Sequence, residues 1–131
     1  MSPDPDAADK VYLKLAPDAD AFAQARRFLS LYARQSGMQE ERADDLVQAA
    51  AELMAVGGRV HQVLALAVHE HPDRLTVLVD LAGPVSVDVA DEAVVLLNEL
   101  SRQWGWHQLP GCTQVWCEVP KHEVAKHEPT S

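Results

Sequence analysis

The tetrapeptide His71-Pro72-Asp73-Arg74 stands between two runs dominated by valine, leucine and alanine, and it constrains this chain more than any other stretch. Proline at the second position of a four-residue turn sets the backbone that the turn needs, so the chain doubles back on itself. The flanking runs, 60–69 and 75–80, are then antiparallel neighbours in one sheet. In the first of them Gln62, Leu64, Leu66 and Val68 alternate with His61, Val63, Ala65 and Ala67. Both faces are fairly apolar, the mark of a strand at the centre of a sheet.

The remaining elements follow from their periodicity. Val11, Leu13 and Leu15 alternate with Lys10, Tyr12 and Lys14, which predicts an opening strand. Pro17-Asp18-Ala19-Asp20 carries helix-start signals, and Phe22, Ala25, Leu29 and Tyr32 continue at helical spacing until Gly37. A second helix is expected over 40–56, with acids in its first turn, a core stripe of Ala43, Leu46, Ala50 and Leu53, and Gly57-Gly58 as its stop. Residues 85–89 read as a short extended link. A third helix follows, capped by Asp88 or Asp91, with Ala93, Leu96 or Leu97, Leu100 and Trp104 as its apolar stripe and Gly105 as its terminator. Leu109-Pro110-Gly111 turns the chain into a last strand, in which Thr113, Val115, Cys117 and Val119 alternate with Gln114, Trp116 and Glu118. Residues 1–9 and 121–131 are expected to be loose tails around a single domain over 10–120. The order β-α-α-β-β-α-β predicts an α/β (α+β) two-layer sandwich: a mixed, largely antiparallel sheet with helices on one face.

Composition closes off several functions. The net charge of −9 is wrong for a nucleic-acid or anionic-membrane partner, both of which call for a basic surface. No run approaches the roughly 20 apolar residues that cross a bilayer, and the first residues lack the pattern of a signal peptide, so a cytoplasmic protein is expected. Cys112 and Cys117 are five residues apart in one predicted strand and point to opposite faces, so they are expected to remain thiols. His61, His69 and His71 have no Cys or acidic cluster at ligand spacing and read as surface histidines beside a turn. Trp116 alternates onto the polar side of its strand, which leaves two readings open: an exposed anchor for a partner, or an edge tryptophan covered by the amino-terminal segment.

One acid stands out. In Leu46-Val47-Gln48-Ala49-Ala50-Ala51-Glu52-Leu53-Met54-Ala55-Val56, Glu52 sits among small and apolar residues, in line with Gln48 one turn before it and Val56 one turn after. With Ala25-Arg26-Arg27-Phe28 in the first helix, Val77-Leu78-Val79-Asp80, Trp104-Gly105-Trp106 and Gly111-Cys112-Thr113-Gln114-Val115-Trp116, the chain resembles the GHKL ATPase superfamily (the Bergerat fold). Within it, the chain is most similar to the bacterial anti-sigma-factor serine kinases. The resemblance implies a Glu-Leu-x-x-Asn helix whose carboxylate acts as general base and whose asparagine holds Mg²⁺. Glu52-Leu53 matches this pattern, and Val56 stands in the asparagine position. It also implies an adenine-side Asp-x-Gly-x-Gly, matched by Asp80 and Gly83, with Ala82 and Pro84 departing from it; Asp80 reads equally as a solvent-facing strand-end acid. The glycine-rich phosphate lid has no counterpart between Gly83 and Val94.

The implied function is that of a regulatory anti-sigma-like domain with a degenerate nucleotide site. It is expected to act by binding a protein, either a sigma factor or an antagonist of the anti-sigma factor, or its own copy as a homodimer. Glu52 is then a vestigial base or a plain half-exposed helix acid, no metal or other cofactor is expected, and turnover is absent. The alternative is an active ATP-dependent serine/threonine kinase that uses Mg²⁺ in an unconventional site.

Overall fold

The computed structural model describes residues 9–15, 20–55, 63–83 and 91–122. Among them the elements run β1 (Asp9–Lys14), α1 (Ala21–Gln35), α2 (Glu40–Met54), β2 (Val63–Glu70), β3 (Arg74–Ala82), α3 (Asp91–Leu100), β4 (Gln103–Leu109) and β5 (Cys112–Pro120). The strands form one sheet in the order β1-β2-β3-β5-β4, with every neighbouring pair antiparallel. The fold is an α+β two-layer sandwich as expected, and the sheet, expected to be mixed but largely antiparallel, is antiparallel at every described pair. None of the described helices is long and apolar enough to cross a membrane.

Register explains why one face of the sheet is covered. Leu66 pairs with Val79 and Val79 with Val115, while Val68 pairs with Val77 and Val77 with Cys117. All six side chains are buried on the same face, and Leu75, Leu81 and Val119 join them there. Helix α2 packs on this surface over β3 and β5, with α1 and α3 beside it. The helix contact is close because it is built from small residues: Ala21, Ala25, Leu29 and Ala33 of α1 repeat every four positions, and Ala43, Ala49 and Ala50 line α2. Gly37, with φ of +88°, ends α1 in the left-handed conformation that glycine adopts without strain, as the sequence implied. The tip of the central hairpin is closed by the His71 amide, which donates to the Arg74 carbonyl at 2.9 Å.

Three expectations are corrected. The third helix stops at Leu100, and Trp104 and Gly105 belong to a strand, β4, that the helical reading hid. Trp104 falls four residues after Leu100, so it continued the helical stripe by coincidence, while its alternation with Trp106 suits a strand equally well. Gly105 is not a terminator. It lies opposite Trp116, and a Cβ there would meet the indole ring at 3.1 Å, so glycine is what lets the ring lie across β4.

The second correction is at the carboxyl end: Lys121, assigned to a fraying tail, is 6% exposed and pairs with Glu70 at 2.7 Å. At the other end Asp9 opens β1 and accepts a hydrogen bond from the Tyr32 hydroxyl at 2.7 Å. The third concerns His71, which is 1% exposed at the foot of its turn and is no surface histidine. The stop at Gly57-Gly58, His61, the first residues of the second predicted strand, the 85–89 link, Asp88 and the Pro17-Asp18-Ala19 start all lie outside the described residues.

Replacing Gly105 with valine forces the Trp116 ring away and is expected to destabilise by ~1–3 kcal/mol, the usual cost of overpacking. Urea unfolding monitored by tryptophan fluorescence measures this, and an unchanged midpoint would contradict the packing described.

Candidate functional site

The faces of β3 decide where Asp80 goes. Val79 and Leu81 enter the core under the helices, so Asp80 between them projects from the opposite, open face. There it is opposite Gln114 of β5, whose Nε2 donates to Asp80 Oδ1 at 3.0 Å. Glu52 is half-buried near the end of α2, within the helical layer on the other side of the sheet. Gly83 follows β3 with φ of +72°; its amide donates to the Gly111 carbonyl at 3.0 Å, and its carbonyl accepts from Thr113 Oγ1 at 3.2 Å. Its backbone groups thus tie β3 to the β4–β5 turn. Glu52, Asp80 and Gly83 are therefore placed in three separate surroundings, and Val56 lies outside the described residues.

Trp116 is half-buried on the open face, stacked with His107 at a centroid distance of 6.5 Å and lying over Gly105. The more exposed tryptophan is Trp106, at 46%. Cys112 and Cys117 are free thiols on opposite faces; Cys117 is buried, and desolvation pushes its pKa up to about 12, which keeps it protonated and inert. Among the described residues no group of three or more His, Cys, Asp or Glu side chains is placed to hold a metal ion.

What the helices do build is a groove. Arg26, Arg27 and Ser30 of α1 face Asp44, Val47, Gln48 and Ala51 of α2 across an open cleft of about 490 Å³. Its one acid is already answered, because Arg34 reaches Asp44 at 3.3 Å and Glu40 at 2.6 Å, and also hydrogen-bonds Ser30. That contact holds the Glu40 carboxyl below the usual carboxylate range, the hydrogen bond from Arg34 being the main cause. Arg42 pairs with Asp45, and Arg74 with Asp73 and Glu118. Arg26 and Arg27 are exposed and meet no carboxylate among the described residues.

Each guanidinium presents paired N–H donors that match a carboxylate or phosphate. In a chain of net charge −9 the two form a local cationic spot facing outward. The sequence marked these arginines only as a point of family likeness; the available signal was their position three and four residues before Ser30, which puts all three on one helical face. No family model matches this chain, and no curated protein matches it. The site is accordingly read from its own chemistry.

Proposed function

We propose that this chain is a regulatory binding module of the anti-sigma kind, which receives an acidic stretch of a protein partner in the α1–α2 groove and carries out no nucleotide turnover. The observation that carries the reading is the pair Arg26 and Arg27, two exposed guanidiniums without a carboxylate partner among the described residues, set in a groove whose own acid is already bridged. Such a surface selects a carboxylate-rich segment, and Val47 and Ala51 give the partner's apolar groups somewhere to rest. The family resemblance makes a sigma factor, or an antagonist of the anti-sigma factor, the implied class of partner in a bacterial cytoplasm. Phosphoryl transfer needs its base, metal ligands and phosphate donors converged on one spot. Glu52 and Asp80 stand on opposite sides of the sheet, which favours binding over catalysis.

Calorimetry separates the two. Mg²⁺-ATP added at millimolar concentration is expected to produce no heat of binding. Micromolar affinity that disappears in Glu52→Ala or Asp80→Asn would overturn the degenerate-site reading. Capture of partners from the native host, with wild type and a groove variant side by side, tests the binding reading itself.

A further inference from the structure

Three arginines surround one hydroxyl on α1. Ser30 is half-buried and lines the α1–α2 cleft, as do Arg26, four residues before it, and Arg27, three residues before it. Residues at these spacings are neighbours on a helix, with Cβ atoms roughly 5–6 Å apart, so both guanidiniums are within reach of a group carried on the serine. Arg34, four residues after Ser30, comes from the other end. Its Nη1 donates to Ser30 Oγ and, at 3.3 Å, to the Ser30 carbonyl. Ala25, Leu29 and Ala33 are fully buried and pin the helix to the core, which fixes the direction in which Ser30 faces.

Charge decides what this hydroxyl is suited to carry. A neutral serine needs no cation, and Arg34 by itself satisfies it with a hydrogen bond. Arg34 is also shared with Glu40 and Asp44, whereas Arg26 and Arg27 meet no carboxylate among the described residues. A phosphoryl group on Oγ brings a charge of about −1.5 to −2 at neutral pH, and three acceptor oxygens. That charge matches the two uncommitted guanidiniums, and Arg34 keeps the oxygen that it already touches.

We propose that Ser30 is a phosphorylation site whose phosphoryl group docks on Arg26 and Arg27. The donor is ATP held by a separate serine kinase. Ser30 Oγ attacks the γ-phosphorus, the bond from that phosphorus to the β,γ-bridging oxygen breaks, ADP leaves, and the hydroxyl proton passes to the kinase's base. Arg26 and Arg27, just upstream of the serine, give an acidic substrate channel a handle. The effect on binding rests on the groove reading above: the phosphoryl group occupies both guanidiniums and places negative charge in the cleft, so an acidic partner is released.

Two measurements test the site with no partner present. Mass spectrometry of the chain recovered from its native host, with phosphatases inhibited during lysis, is expected to find a phosphoryl group on Ser30. Recovery of Ser30 only in its unmodified form overturns the proposal. Phosphorus NMR of the full chain made with phosphoserine at position 30 is expected to show its second ionisation, ordinarily about 6, lowered by at least about half a unit at low salt. Arg26→Gln with Arg27→Gln should remove that shift. A titration that the two substitutions leave unchanged overturns the docking, and so does a phosphoserine chain with less helix than wild type by circular dichroism. Partner capture is read separately: phosphoserine is expected to weaken the retention of an acidic partner at least about tenfold, and equal retention overturns the regulatory effect. A phosphoserine that docks on the arginines while neither form of the chain holds a partner would contradict the groove reading and support the phosphorylation site.

Discussion

Exchanging Glu70 for glutamine is expected to lower stability by about 2–3 kcal/mol, somewhat less than the full loss of a buried ion pair because Glu70 retains some contact with solvent. The reason is the company Glu70 keeps. The Lys121 ammonium, 8% exposed at its side chain, donates to Glu70 Oε2 at 2.7 Å, and the Tyr32 hydroxyl reaches Glu70 Oε1 at 3.3 Å. Burial, helped by Asp9 and Glu70, drives the Tyr32 pKa well above the ordinary phenol value, so the hydroxyl stays protonated and donates. Removing the carboxylate charge leaves the ammonium in a dry place without its counter-ion.

The main chain of Lys121 is engaged too. Its amide donates to the Asp73 carbonyl at 2.9 Å, and its carbonyl accepts from the Gln39 amide at 2.8 Å. One residue thereby joins the hairpin turn, the entry to α2 and the end of β5. Urea denaturation of wild type, Glu70→Gln, Lys121→Met and the double variant provides the check. The double variant should recover much of what Glu70→Gln loses, since no charge is then stranded. Equal losses that simply add would show that the pair is not coupled.

Most of the architecture could be read from local chemistry. The Pro72 turn gave the central hairpin, the four-residue spacing from Ala25 to Leu29 gave the packed face of α1, and Gly37 gave its end, because each is set by neighbours in sequence. What could not be read was decided at long range. Trp104 satisfies a helical stripe and a strand alternation equally, and only the Trp116 ring lying on Gly105 settles the matter, through a contact across two strands. Lys121 looks like the start of a polar tail until Glu70, fifty-one residues away, supplies its counter-charge.

The site was less legible for the same reason. Glu52 and Asp80 were each singled out by their place in a motif, yet a motif does not state which face of the sheet a residue takes. Asp80 goes to the open face because Val79 and Leu81 are needed in the core. The groove required α1 and α2 to be set side by side, and no periodicity in either helix announces that Asp44 will be bridged by Arg34 while Arg26 and Arg27 are left facing outward.

Reversing both groove charges, Arg26→Glu with Arg27→Glu, is expected to abolish partner binding while leaving the fold intact. Both side chains are exposed and make no ion pair among the described residues, so stability should change by no more than about 0.5 kcal/mol. Binding is another matter. A hydrogen bond to a charged group contributes roughly 1.5–3 kcal/mol, so losing two and adding repulsion should weaken an acidic partner at least about 100-fold. Raising the salt concentration should weaken the wild-type complex in the same direction, because an exposed charge contact is screened.

The most direct measurement is affinity capture from the native host with wild type and the Arg26→Glu/Arg27→Glu variant as parallel baits, read by quantitative mass spectrometry. Retention of a specific protein by wild type and its loss from the folded variant is the predicted result. The same proteins held equally by both baits, or none held specifically by either, would contradict a groove that works by binding an acidic partner.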